Sequence, residues 1–228
     1  MSLQAQWEAQ AGNWVRWARE PGLDSYWRCH RAPFLALLPP PGRLTIDVGC
    51  GEGRVTRDLR AIGHRVVGVD SAPSMVAAAH EADLEGEYIE ADAAELPFED
   101  GSADLVVSFM ALMDMDDMPA VVREIGRVLE TGGRLVAAVV NPVNTAGRFQ
   151  DDGRFRIDSY LDRRVLVDEV ERDGLAMTFH GRHQILDDYS RALEAAGFVF
   201  ERFREIYDDE HENWSRVPLF LDFVAVRT

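Results

Sequence analysis

Leu44 to Arg54 reads Leu-Thr-Ile-Asp-Val-Gly-Cys-Gly-Glu-Gly-Arg, a short apolar run that meets glycines at 49, 51 and 53 just before a helical pattern begins. Glycine carries no Cβ and enters the left-handed region freely, so such a turn bends sharply and lets a ligand lie against bare main chain. Asp70 closes the next apolar run, His64 to Asp70, seventeen positions after Gly53. A carboxylate at the tip of the second strand is where a nucleotide's ribose presents its hydroxyls. Turn and acid together demand a strand, turn, helix, strand unit at one edge of a ligand cleft.

The rest of the chain repeats that unit. Leu44 to Val48, Val66 to Val69, Leu105 to Phe109 and Leu135 to Val140 are apolar without clean alternation, as buried parallel strands are. Val55, Leu59 and Ile62 share one helical face, and Val121, Ile125, Val128 and Leu129 share another, in a helix that Gly132-Gly133 should stop. Alternating strands and helices predict an open α/β sheet with right-handed crossovers and a ligand at the carboxyl ends of its strands. Asp92 and Phe109 fall at those ends with Asp70 and the glycine turn. A further helix, Leu186 to Ala196, and strands near Phe198 to Arg204 and Leu219 to Val226 follow. Residues 1–40, rich in tryptophan, and residues 141–183 stand outside this pattern; Arg164 to Glu171 and Leu175 to His180 read as a hairpin turning at Arg172-Asp173-Gly174. We expect one domain over residues 1–228, with an N-terminal helical lid and a lid insertion at 141–183 covering the strand ends.

Charge narrows the ligand. A dinucleotide turn starting at Gly49 would need glycine or alanine where Arg54 stands, and Asp47 would repel a pyrophosphate. Both residues suit S-adenosyl-L-methionine, with its ammonium and sulfonium groups. All 24 basic residues are arginine, which excludes a lysine Schiff base, a pyridoxal aldimine and a P-loop. The formal net charge of −16 opposes a phosphate backbone, so the expected acceptor is a small molecule and not nucleic acid. Cys29 and Cys50 form no C-x-x-C pair, and no apolar run approaches a membrane span; a soluble, cytoplasmic protein that does not engage membrane is expected.

The pattern Asp47-x-Gly49-x-Gly51-x-Gly53 with Asp70 resembles the first two motifs of the class I S-adenosylmethionine-dependent methyltransferases. From Leu44 to Pro142 the chain is similar to a methyltransferase type 11 domain of the ubiquinone/menaquinone-biosynthesis methyltransferase-like group; Glu90 to Phe98, Ala103 to Val107 and Arg127 to Leu135 carry further motifs. The resemblance implies a Rossmann-like, seven-stranded open sheet with helices on both faces and the last strand antiparallel. It implies a cofactor set of Asp47, Gly49, Cys50, Gly51, Gly53, Asp70, Ser71, Asp92, Ala93 and Phe109, with Asp92 taking the adenine amine. Where many relatives carry a histidine pair after the fourth strand, this chain reads Met110-Ala111-Leu112-Met113-Asp114. A SAM-binding protein without catalysis, or a nicotinamide-dependent oxidoreductase, are the alternatives; Arg54 weighs against the second.

The candidate bases are His180, His30 and Asp114, and the candidate substrate contacts Tyr26, Trp27 and Met113; with Trp14, residues Tyr26, Trp27 and His30 are also candidates for covering the cofactor pocket. Asp114, Asp116 and Asp117 offer oxygens for a hard cation, but an N-cap and acidic first turn before Pro119 explains them as well and is preferred. His180 and His183, with Asp187 and Asp188, lack a third ligand at convincing spacing, so no metal site is expected. Glu52 suits a helix N-terminus or a ligand contact equally.

Overall fold

Apolar strands need cover on both faces, and a computed structural model describing residues 1–228 shows how the chain supplies it. The chain opens with α1 (Leu3–Arg19), a π-helical turn (Tyr26–His30) and α2 (Arg31–Leu35). Then come β1 (Thr45–Val48), α3 (Arg54–Ala61), β2 (Val66–Asp70), α4 (Pro73–Ala82), β3 (Glu87–Glu90), β4 (Ala103–Phe109), α5 (Met118–Val128) and β5 (Leu129–Val140). After α6 (Pro142–Ala146), two hairpins follow, β6 (Gly147–Phe149) with β7 (Phe155–Ile157) and β8 (Val165–Arg172) with β9 (Leu175–Arg182). Helix α7 (Leu186–Ala195) and strands β10 (Phe198–Ile206) and β11 (Phe220–Arg227) complete the chain.

The seven-stranded sheet runs β3, β2, β1, β4, β5, β11, β10. β1 lies parallel to both β2 and β4, and β11 runs antiparallel to both β5 and β10. The chain crosses from one side of β1 to the other between β3 and β4, and such a reversal opens a crevice at the strand ends. Every residue of β1 is buried. Ile46 and Val48 face a core with Ile125 of α5, Leu193 of α7 and Phe223 of β11. The opposite face packs Leu105, Val107 and Val224 against Phe34 of α2 and Leu59 of α3.

The helix before β5 does not run to Gly132-Gly133 as its apolar pattern suggests. It ends at Val128, and Leu129 is already extended, with φ −78 and ψ 135. The glycines instead serve a strand irregularity, where pairing with β4 shifts from Ala103 opposite Leu129 to Leu105 opposite Arg134. A Cβ on Gly133 would stand 2.9 Å from the Glu130 carbonyl oxygen, so the bulge itself requires glycine.

The β8–β9 hairpin forms where expected. Arg172 pairs with Leu175, and Asp173 (φ 51) and Gly174 (φ 76) both take the positive φ that a two-residue type I′ connection needs. The hairpin packs on α1: Phe179 meets the rings of Trp7, Trp14 and Trp17 edge-on, at 6.5, 6.2 and 5.9 Å between centroids. No helix is long and apolar enough to cross a membrane.

Ile125 is fully buried between α5, the sheet and α7. Ile125→Ala should destabilise the fold by about 2 to 5 kcal/mol, read as a lower urea midpoint with an unchanged m-value.

Candidate functional site

A cleft of about 1210 Å³ opens over the carboxyl ends of β1, β2 and β4. Its floor on one side is the turn after β1. The N–H groups of Gly49 and Cys50 both donate to the Val69 carbonyl, at 2.8 and 3.0 Å, tying the turn to β2. Gly49, Gly51 and Gly53 adopt φ of +75, +54 and +82. They are not equivalent. A Cβ on Gly49 would collide with that of Ala111, and one on Gly53 would lie 2.8 Å from the Tyr88 hydroxyl. These two glycines serve packing within the protein. A Cβ on Gly51 would meet only the Trp14 indole, 3.3 Å from Nε1. Gly51 is the glycine that leaves main chain open toward the cleft.

Asp70 ends β2 beside it. Its Oδ2 accepts from the Gly51 N–H at 2.8 Å and its Oδ1 from the Ala72 N–H at 2.9 Å. A carboxylate has about four lone-pair directions, so capacity remains for hydroxyl donors. Burial raises the Asp70 carboxyl above its usual range, against the pull of those N–H groups. Asp92 follows β3, lines the same cleft with Ala93 and Ser71, and accepts from the Ala94 N–H at 2.9 Å.

Asp47 is buried beneath the turn, where the Thr56 hydroxyl donates to it at 2.6 Å. Burial pushes its carboxyl up to about 7; the nearby Asp70 adds to the rise and Thr56 opposes it. Burial likewise holds the Cys50 thiol well above the ordinary range. Glu52, also at the edge of the cleft, does not cap α3: it is buried and paired with Arg19 at 3.0 Å and Arg57 at 2.9 Å, so it clamps α1 to α3.

Arg54, which the sequence offers only as a misfit for a dinucleotide, is itself built into the site. Its guanidinium lies over Tyr26 and Trp14, 4.5 and 4.9 Å from their ring centroids, and Nη1 donates to Asp24 at 2.7 Å. Desolvation strengthens each of these contacts. The motif pattern gave Asp24 no signal.

Across β4 the cleft changes character. Phe109, Met110, Met113, Phe149, Trp214 and Phe220 line it. Tyr26 lies deep in the wall, its hydroxyl donating to Asp58 and its ring edge-on to Phe109 at 5.2 Å. His30 lines the cleft with Nε2 2.7 Å from Asp222. Asp114 and Tyr189 lie together at another wall, and burial raises both, Asp114 well above the carboxylate range. His180 lines that wall too, with Nδ1 buried and unpartnered.

Trp27 does not belong with these residues. It is 45% exposed, packs edge-on on the outer side of Tyr26, and donates from Nε1 to the Ala18 carbonyl. It neither covers the glycine turn nor lines the cleft; the π-helical turn points Tyr26 and His30 inward and carries Trp27 outward. The acidic trio divides its work: Asp117 caps α5 through the Ala120 N–H, Asp116 accepts from the Leu3 N–H, and Asp114 turns inward. His183 is a fastener, bonded to Thr145 at 2.6 Å and the Tyr160 carbonyl at 2.8 Å.

Residues 46–137 match the family model described as a methyltransferase domain. The chain is 40% identical over 127 residues to a demethylmenaquinone methyltransferase of Thermus thermophilus, covering 53% of this chain and 57% of that protein. It is 33% identical over 138 residues to a malonyl-[acyl-carrier protein] O-methyltransferase of Pectobacterium atrosepticum, covering 58% and 54%. The chain thus spans a little over half the length of these curated relatives. Among solved structures it is similar to an S-adenosylmethionine-dependent methyltransferase from Mesorhizobium loti, at a TM-score of 0.71 and 26% identity over 90% of this chain and 98% of that one.

The raised Asp47 carboxyl has a thermodynamic consequence. An aspartate in the unfolded chain loses its proton near pH 3.9, so between that value and about 7 the folded chain holds the extra proton. Its contribution to stability is complete at the acid end and is lost as pH rises through the folded value. The Tm of the ligand-free protein should therefore fall from about pH 5 to about pH 8, and Asp47→Asn should flatten part of that fall. A variant with the same slope as the wild type would show that Asp47 stays ionised.

Proposed function

We propose that this chain is an S-adenosylmethionine-dependent methyltransferase, which binds S-adenosyl-L-methionine in its cleft and transfers the methyl group to a small, largely uncharged or apolar molecule. The observation that carries the reading is the pairing of Gly51 with Asp70: open main chain and a carboxylate with spare acceptor capacity, held together by one hydrogen bond. Asp70 suits the ribose hydroxyls. Asp92 and Ala93 suit the adenine edge. Asp47 beneath the turn and the Arg54–Asp24 pair suit an amino acid end carrying both charges, since an ammonium seeks a carboxylate and a carboxylate seeks a guanidinium.

Bound there, the cofactor supplies an electrophilic methyl on a cationic sulfur. The chain's part is to hold an acceptor in line and keep water away. Orientation of this kind is worth about 7 to 11 kcal/mol of barrier, so positioning supplies much of the acceleration. The acceptor half is apolar and aromatic, with Phe149 edge-on to Trp214 at 5.1 Å, and it suits a small apolar body better than a phosphate chain. The segments 1–40 and 141–183 act on this reading as one cover over both halves.

Calorimetry should show binding of S-adenosylmethionine and S-adenosylhomocysteine and none of NADH or NADPH; the reverse result would refute the cofactor assignment. Asp70→Ala should weaken S-adenosylhomocysteine binding by about 1.5 to 3 kcal/mol, the scale of hydrogen bonds to a charged group. Gly51→Val should abolish it, because a branched side chain resists the turn's positive φ and fills the open face.

A further inference from the structure

Asp222 is a lone acid in an otherwise apolar strand, Phe220-Leu221-Asp222-Phe223-Val224, and it is fully buried. One of its oxygens, Oδ2, has no partner at all. A buried, half-satisfied carboxylate costs stability, and a valine there would pack without that cost. The other oxygen, Oδ1, lies 2.7 Å from Nε2 of His30, 192 positions away in sequence. His30 is equally buried, with its ring stacked on Phe220 at 4.3 Å and tilted against Phe109 at 4.6 Å.

The sheet fixes where this pair sits. Phe109 of β4 pairs with Ala138 of β5, and Ala138 pairs with Asp222 of β11. Registered neighbours point to one face, so Phe109, Ala138 and Asp222 form a single row at the carboxyl ends of β4 and β5. This row lies on the side of β4 away from the glycine turn and Asp70. It is the acceptor half of the cleft, and His30 lines it. The π-helical turn Tyr26–His30 delivers the imidazole there, and such turns recur at functional sites. No histidine follows β4 itself, where Ala111, Leu112 and Met113 stand.

Resting on the methyl-transfer reading above, we propose that His30 is the general base for a hydroxyl acceptor and that Asp222 is its positioning residue. A carboxylate only accepts hydrogen bonds, so Asp222 places the neutral ring's proton on Nε2 and leaves the Nδ1 lone pair free. No protein group bonds to Nδ1. As the acceptor oxygen forms its bond to the methyl carbon, the carbon–sulfur bond breaks with its electron pair remaining on sulfur, and the hydroxyl proton passes to Nδ1. The resulting imidazolium is held by Asp222 and returns its proton to water after the product leaves. The acceptor class that needs such a base is an alcohol or phenol of weak acidity; a thiol, which ionises near pH 8.5, needs it far less.

Two measurements test this. In protein labelled with ¹⁵N-histidine, His30 should show its proton on Nε2 and a bare Nδ1, and Asp222→Asn should disturb that tautomer. A wild-type ring protonated on Nδ1 instead would overturn the proposal without any acceptor being known. With radiolabelled S-adenosylmethionine and a panel of small aromatic alcohols and phenols beside their thiol and amine counterparts, His30→Gln should lower hydroxyl methylation about 10² to 10⁴-fold, with a much smaller change for thiols. Asp222→Asn should lower the same kcat in the same direction, and it serves as the isosteric test if His30→Gln does not fold. Thermal melting and S-adenosylhomocysteine titration identify folded, cofactor-binding variants. Hydroxyl methylation that survives at the wild-type rate in such a variant overturns the base, and so does a wild type that methylates only thiols or amines. A wild type that binds no S-adenosylmethionine removes the methyl-transfer reading itself, a different failure.

Discussion

One carboxylate holds the glycine-turn side of the cleft in register. Asp70 receives the Gly51 N–H with one oxygen and the Ala72 N–H with the other, so the turn after β1, the end of β2 and the approach to α4 share a single anchor. The Val69 carbonyl reinforces it by accepting from both Gly49 and Cys50. Those bonds define where the turn's open face points, and Trp14 and Arg54 are placed relative to it. Without the anchor the glycines would only make the chain flexible.

Acidity is a second constraint. This chain carries 40 acidic residues, and it buries several of them where solvation is lost. Glu52 and Asp24 are compensated by arginines, as buried charge must be. Asp47, Asp114 and Asp222 have no guanidinium partner, and burial raises all three. They all border one cleft or lie directly beneath it. That concentration of uncompensated buried acids sets the cleft apart from the rest of the fold.

Much of the sheet was legible because its signals are local. Buried strands announce themselves as unbroken apolar runs, the glycine turn carries its own spacing, and the Asp173-Gly174 connection names its turn type. Gly132-Gly133 looks like a helix stop and is a strand bulge, because glycine's permissive φ serves both uses. Trp27 sits beside Tyr26 in sequence but on the other side of the wall, and its orientation depends on a π-helical turn that no periodicity reveals. Asp24 and Asp222 carry no local signal of their partners, which lie 30 and 192 positions away. A single acid inside an apolar strand was the one available hint for Asp222.

The meeting of Phe179 with Trp7, Trp14 and Trp17 joins the two segments outside the sheet into one piece. An N-terminal helix and a distant hairpin thus cannot swing apart independently. Parting them would bare three indoles, Phe179 and the buried Met177 at once, at about 25 cal/mol for each Å² of apolar surface. Trp14 belongs to that joint and also lies against Gly51, so one indole is shared between the packing of the two segments and the open face of the turn.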